Sequence, residues 1–295
     1  MYKKYSSTAI FGKGWFRVLI FVVSFLSLLL ISLAILVFGF HKGDFSSSGI
    51  QSLTKDGNFW TMTLIFFVLS VLITFAFRHW IDRKSFISLG LDIVGRWREA
   101  VAGSMLAVFI ISAVSLLLKA TGHLKWTEII FDPKILFLSF GSTVLISFSE
   151  ELIFRGYILN NLLGSFSNWI ALLISAILFM IFHWTSLGFF SLANSFVMGI
   201  ILGLNYIYTR NLWFSICFHI SWNFMIGPIL GFSGDESFQT LLQTELNGDE
   251  NITGGTNGLQ GSVFLLAVFL VSLAALYLFL QKKTNPVSQP VPGRI

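Results

Sequence analysis

Between Arg17 and Phe40 the chain runs without a single charged residue. That is long enough to cross a bilayer, whose hydrocarbon core takes roughly 20 apolar residues as a helix. No other feature constrains the fold as strongly. In lipid every backbone N–H and C=O must be satisfied within the chain, which only helices and closed barrels achieve. The run is too long for a signal-peptide core and lacks a small-residue cleavage site, so it reads as a retained span. Comparable runs predict further helices at 59–77, 100–118, 135–163, 169–184, 189–209, 212–232 and 262–281. The expected fold class is an all-α, polytopic transmembrane helix bundle of about eight spans, the fourth unusually long.

Composition agrees. Of 295 residues, 55% are hydrophobic and only 11% charged, where soluble chains carry about 25%. So little polar surface cannot cover a water-soluble particle. The lone cysteine, Cys217, excludes an internal disulfide or a cysteine-based metal cluster. A net charge of +5 would suit nucleic acid, but the basic residues sit in short loops with no continuous stripe, so nucleic-acid binding is not expected.

Those basic residues carry topology instead, since Lys and Arg collect on cytoplasmic loops. Lys3, Lys4, Lys13 and Arg17 precede span one, and Arg78, Arg83, Lys84, Arg96 and Arg98 lie between spans two and three. Arg210 separates spans six and seven, and Lys282, Lys283 and Arg294 follow span eight. With alternating spans all fall on one side, which sets both termini in the cytoplasm. The other side receives Lys42, Lys55, the mixed loop Lys119–Lys134 and the acids Asp235, Glu236, Glu245, Asp249 and Glu250.

The chain then divides into a cytoplasmic N-terminal segment at 1–16, spans one to three at 17–134, and spans four to seven at 135–230. An extracytoplasmic loop follows at 231–261, span eight at 262–281 and a cytoplasmic tail at 282–295. Within the second unit, 84–99 mixes apolar residues with charge at both ends and reads as an amphipathic segment in the interface. The Gly- and Asn-rich loop 231–261 is expected to be flexible.

Ionisable residues inside a span cost about 2.5–3.5 kcal/mol each by insertion scales and are functional hypotheses by default. Span four holds Ser149-Glu150-Glu151-Leu152-Ile153-Phe154-Arg155. Glu151 and Arg155 share a helix face in the favoured acid-before-base order and can pair structurally. Glu150 is turned about 100° away with nothing local to neutralise it, which suits a general base. Span five ends at His183, beside Trp184, where an interfacial histidine is the plainer reading. Span seven stacks His219 and Asn223 on one face. Together a carboxylate, two imidazoles and a carboxamide can do hydrolytic chemistry. Glu150 can take a proton from water, or the imidazoles can help hold a metal that acidifies it. The remaining imidazole and the Asn223 amide can hydrogen-bond a developing oxyanion.

These residues resemble three motifs of one family. E-E-x-x-x-R at Glu150, Glu151 and Arg155, F-x-x-x-H at Phe179 and His183, and H-x-x-x-N at His219 and Asn223 occur in the family's order on hydrophobic helices. The family is the CAAX-prenyl-protease and bacteriocin-processing group of intramembrane proteases (CPBP, also called Abi). The similarity covers roughly Ile135 to Gly227, so 135–230 becomes the expected catalytic core, and Ser88–Leu91 resembles the family's approach to it. The resemblance implies an endopeptidase of a bacterial cell membrane acting on a peptide or prenylated protein. It implies that Glu150 and His183 activate water, that His219 and Asn223 stabilise the oxyanion, and that Glu151 and Arg155 support them. The family's metalloprotease label implies zinc on His183, His219 and Glu150, but an amide is a poor zinc ligand. Direct Glu/His activation is preferred and zinc left open. The alternatives are a non-enzymatic bacteriocin-immunity or protein-partner scaffold of the same fold, and an ion-coupled transporter. The site is expected to open to the cytoplasm or laterally to lipid. One strain stands: counting puts Glu150 and Asn223 near mid-depth but His183 near the outer end of its span.

Overall fold

The computed structural model describes residues 13–41, 59–183, 188–232 and 240–284. Lys3, Lys4, Lys42, Lys55, Trp184, Asp235, Glu236, Arg294 and the tail 285–295 lie outside the described residues. Helices follow the apolar runs: α1 (Gly14–His41), α2 (Phe59–Ala76), α3 (Trp97–Ala120), α4 (Pro133–Glu151), α5 (Asn168–Phe182), α6 (Phe189–Thr209), α7 (Trp213–Phe224) and α8 (Val263–Thr284). Wider i→i+5 turns extend three of them, at Phe77–Ile81, Leu152–Leu159 and Met225–Ile229. The last contains Pro228, which has no N–H to give to a regular ladder. A turn at Asn160–Leu162 completes the long fourth span.

Among the described residues six helices are long and apolar enough to cross a membrane, by length and composition. α5, with 15 residues, and α7, with 12, are shorter. These two short helices carry the histidine motifs, and their length resolves the conflict in depth. α5 stops at Phe182, so His183 caps it at the level of Glu150 instead of emerging at an outer surface.

The helix bundle expected from the sequence carries one small sheet besides. β1 (Leu124–Ile129) pairs antiparallel with β2 (Leu242–Leu246), with Leu124 opposite Leu246 and Lys125 opposite Glu245. β1 alternates in character along Leu-Lys-Trp-Thr-Glu-Ile, a period-two signal that six residues make easy to miss. β2 falls in the loop expected to be flexible, and its flanks are tied down. Leu241 N–H donates to the Pro228 carbonyl at 2.8 Å and Ile130 N–H to the Leu241 carbonyl at 2.8 Å. After β2, Asp249 caps a helical turn at Glu250–Thr253, and Gly255–Gly261 packs inward as tight turns with Leu259 fully buried.

The sheet marks one end of the bundle; a polar knot marks the other. Asp82 accepts from Arg17, Arg78 and Asn161, each at 3.1 Å. Arg78 also donates to Ser88, and Tyr206 donates to the Leu89 carbonyl at 2.9 Å. The segment 84–99 includes a short 3₁₀ turn, Phe86–Leu89, pinned to the bundle. Its neighbours Ile93, Val94 and Trp97 remain exposed, as an interface requires. Chain order puts Lys13, Arg83, Lys84, Arg96, Arg98, Arg210 and Lys282 at this end, and Glu128, Asp132, Glu245, Asp249 and Glu250 at the sheet end.

Small residues bring the core helices close, as is usual in lipid. A Cβ on Gly103 of α3 would sit 2.2 Å from the Phe214 carbonyl oxygen of α7. One on Gly199 of α6 would meet Ala176 Cα of α5 at 3.0 Å. The second approach brings an α6 carbonyl into the candidate site.

Candidate active site

Local chemistry fixes α4 first. Asp132 accepts from the N–H groups of Lys134 and Ile135 at 2.9 and 3.0 Å, and Pro133 occupies the first helical position. Both are favourable at a helix start. Late in α4, Glu150 and Glu151 are buried side by side at 6% and 0% exposure.

The two acids differ. Glu151 Oε1 accepts from Arg155 Nη1 at 2.6 Å and contacts His219 Nδ1 at 2.8 Å. The helix widens immediately after Glu151, yet the pair still closes. Arg155 lies 4.3 Å over the Phe179 ring, and its Nη2 lies 3.5 Å from the Gly199 carbonyl oxygen. So Phe179, one turn before His183, places a cation–π floor under the ion pair. Glu150 has no such partner. Among the described residues its Oε2 makes no hydrogen bond, although it faces His183 Nε2 at 3.5 Å and His219 Nε2 at 3.6 Å.

Partners assign the imidazole tautomers. His183 Nδ1 lies 2.9 Å from the Phe179 carbonyl, which can only accept, so Nδ1 carries the proton. His219 Nδ1 likewise donates to the Glu151 carboxylate. In neutral rings both Nε2 atoms are then acceptors, and both face a third acceptor, Glu150 Oε2. Separations of 3.5–3.6 Å are long for a direct hydrogen bond but suit one bridging water.

Asn223 donates from Nδ2 to Ser147 Oγ at 3.1 Å, leaving its second N–H. It lines a small cavity with His183 and His219 and a second one of about 250 Å³. The structure thus brings together Glu150, His183, His219 and Asn223, with Glu151 and Arg155 beside them.

Sequence reasoning missed Ser147, Asn194 and Gln260. Ser147 precedes Glu151 by one helical turn, so the spacing held a signal. Asn194 is a buried amide in an apolar span that a scan for ionisable residues passes over; its Nδ2 donates to the carbonyls of Gln260 and Ser262 at 2.8 and 3.0 Å. Nothing local in the sequence links Gln260 to this place.

Among the described residues no group of three or more His, Cys, Asp or Glu is arranged to hold a metal ion. No step below passes through a metal.

A multi-helix membrane bundle with a buried acid–imidazole–amide cluster is the class that fold and site define. Residues 132–225 match the family described as type II CAAX prenyl endopeptidase Rce1-like. This match, from the α4 cap through α7, supports assignment of the chain to the CAAX-protease (CPBP) family, a family of membrane peptidases. Comparison with curated proteins gives no match.

Proposed function

We propose that the protein is an intramembrane endopeptidase in which Glu150 and His183 activate water directly. The observation that carries this reading is the convergence of three acceptors, Glu150 Oε2 and the two imidazole Nε2 atoms, around a space of water size. Water supplies the two donors that three acceptors lack. Glu150 takes one water proton, the water oxygen bonds to the carbonyl carbon, and the carbonyl π electrons move onto its oxygen. Asn223 N–H donates to that oxyanion. His219 Nε2 helps to hold the water as an acceptor while its Nδ1–H stays on Glu151. Collapse breaks the C–N bond, and the proton held by Glu150 passes to the leaving amine by way of His183.

The substrate class is a peptide or protein, prenylated or not. The topology proposed with it is eight membrane-crossing segments, α5 and α7 included, with both termini cytoplasmic, in a bacterial cell membrane. The unit boundaries read from the sequence are kept, with 135–230 as catalytic core.

Purified protein in detergent should cleave members of a fluorogenic peptide library, retain that activity in excess chelator, and carry substoichiometric metal by elemental analysis. Chelator-sensitive activity restored by zinc would replace direct activation with metal chemistry. No cleavage at all would return the weight to the scaffold reading. Asn223→Ala should lower kcat by roughly 10²–10³-fold with KM little changed, the cost of losing one oxyanion donor. Ser147→Ala, which removes only the residue orienting that amide, should cost less. Equal losses would make Ser147 the more direct participant.

A further inference from the structure

Two neighbouring cavities differ in chemistry, one lined in part by Glu150 and the other by Asn223. The first, about 410 Å³, is apolar, with Leu33, Leu36, Met62 and Phe66 among its walls, and Glu150 sits on it. The second, about 250 Å³, is the more polar of the two, with Ser139, Ser142, Thr143, Asn223 and Gln260 among its walls beside Phe59, Ile146 and Ile226. Phe59 and Ile146 line both, so the two spaces adjoin on either side of the reacting groups.

The polar cavity has a definite end. Ser139 and Thr143 lie early in α4, which starts directly after β1. Gly227 and Pro228 lie in the wide turn after α7, and the Pro228 carbonyl holds the chain entering β2. Gln260 belongs to the inward-packed turns after β2. All of these are sheet-end residues. Toward the basic end the site is closed: Arg155, Phe179, Leu152, Ile201 and Tyr206 form buried layers, with the Asp82 knot beyond them. Another large cavity among the described residues, about 400 Å³ between α1, α5 and the turns after α4, is lined by apolar side chains such as Phe21, Phe25 and Phe182. A peptide backbone would leave its N–H and C=O groups unpaired there. The basic end is the cytoplasmic one if Lys and Arg distribute as they do in other membrane proteins.

We propose that substrate reaches Glu150 from the sheet end, so that the scissile bond belongs to a peptide segment presented on the extracytoplasmic face. Its backbone enters through the polar cavity, and an apolar side chain or segment next to the cleaved bond lodges in the 410 Å³ cavity. The expected substrate is therefore an exported or membrane-anchored hydrophobic peptide rather than a cytoplasmic protein tail. It departs from the expectation of a site that opens to the cytoplasm or laterally to lipid. It rests on the peptidase reading for its chemistry, but its sidedness can be measured without activity.

The test is cysteine accessibility in intact bacterial host cells, in the full chain with Cys217→Ser as the cysteine-free parent. Single cysteines are placed in the polar cavity (Thr143→Cys, Gln260→Cys) and at the basic end (Arg98→Cys), and exposed to a membrane-impermeant maleimide. The cavity positions should label in intact cells, and Arg98→Cys only after permeabilisation. Labelling of Arg98→Cys in intact cells would overturn the orientation. Labelling of the cavity positions only after permeabilisation, or under neither condition, would overturn the access route. Correct labelling in a protein that cleaves no peptide would leave the sidedness standing and remove the peptidase reading.

Discussion

Glu150→Gln should abolish peptide cleavage, by roughly 10²–10⁴-fold, the contribution of a positioned general base. Gln keeps the shape of Glu but cannot take the proton from water. The same substitution should leave the thermal unfolding midpoint in detergent unchanged or higher. The sign follows from burial: Glu150 Oε2 makes no hydrogen bond among the described residues, so no bond is lost, and the cost of burying a charge is removed. Activity and stability therefore move independently at this residue. Undiminished cleavage by Glu150→Gln would remove Glu150 as the base. Lost activity accompanied by a collapse of the fold would instead make the residue structural.

Arg155 should behave in the opposite way. Arg155→Met leaves the fully buried Glu151 without its cation, and breaking a buried pair from one side costs about 3–5 kcal/mol. A large fall in the unfolding midpoint is the expected result. The double variant Glu151→Leu with Arg155→Met removes both charges and should recover most of that stability, since apolar replacements of buried pairs are often neutral. Cleavage should not recover with it. Glu151 also holds His219 through Nδ1, and an imidazole freed to rotate misplaces its Nε2 at a cost of roughly 10²-fold. Restored activity in the stable double variant would show that the pair serves packing alone.

These contrasting expectations for adjacent acids show what could be read from the chain. The i,i+4 spacing of Glu151 and Arg155 already set them on one face and left Glu150 aside. The pair forms as that spacing predicts, even though the helix widens through Leu152–Leu159. The apolar runs placed the helices because the requirement for twenty apolar residues is local to each segment. Where the sequence was silent, the deciding contacts were distant along the chain. β2 is ordered by Pro228 and β1, the segment 84–99 by Arg78 and Tyr206, and Gln260 reaches the site only through the folded chain after β2.

By itself the sequence determined that the chain lives in a membrane, which face of it is basic, and which few polar residues stand in spans where they are costly. Those properties depend on composition and on spacing within single helices, so no neighbour is needed to read them. Only the tertiary structure decided that Glu151 holds His219 while Glu150 Oε2 makes no hydrogen bond among the described residues, that His183 at the end of α5 stands beside Glu150, and that residues near the sheet end line a cavity with Asn223. Depth, partner choice and access depend on how helices of unequal length pack against one another, and no single span contains that information.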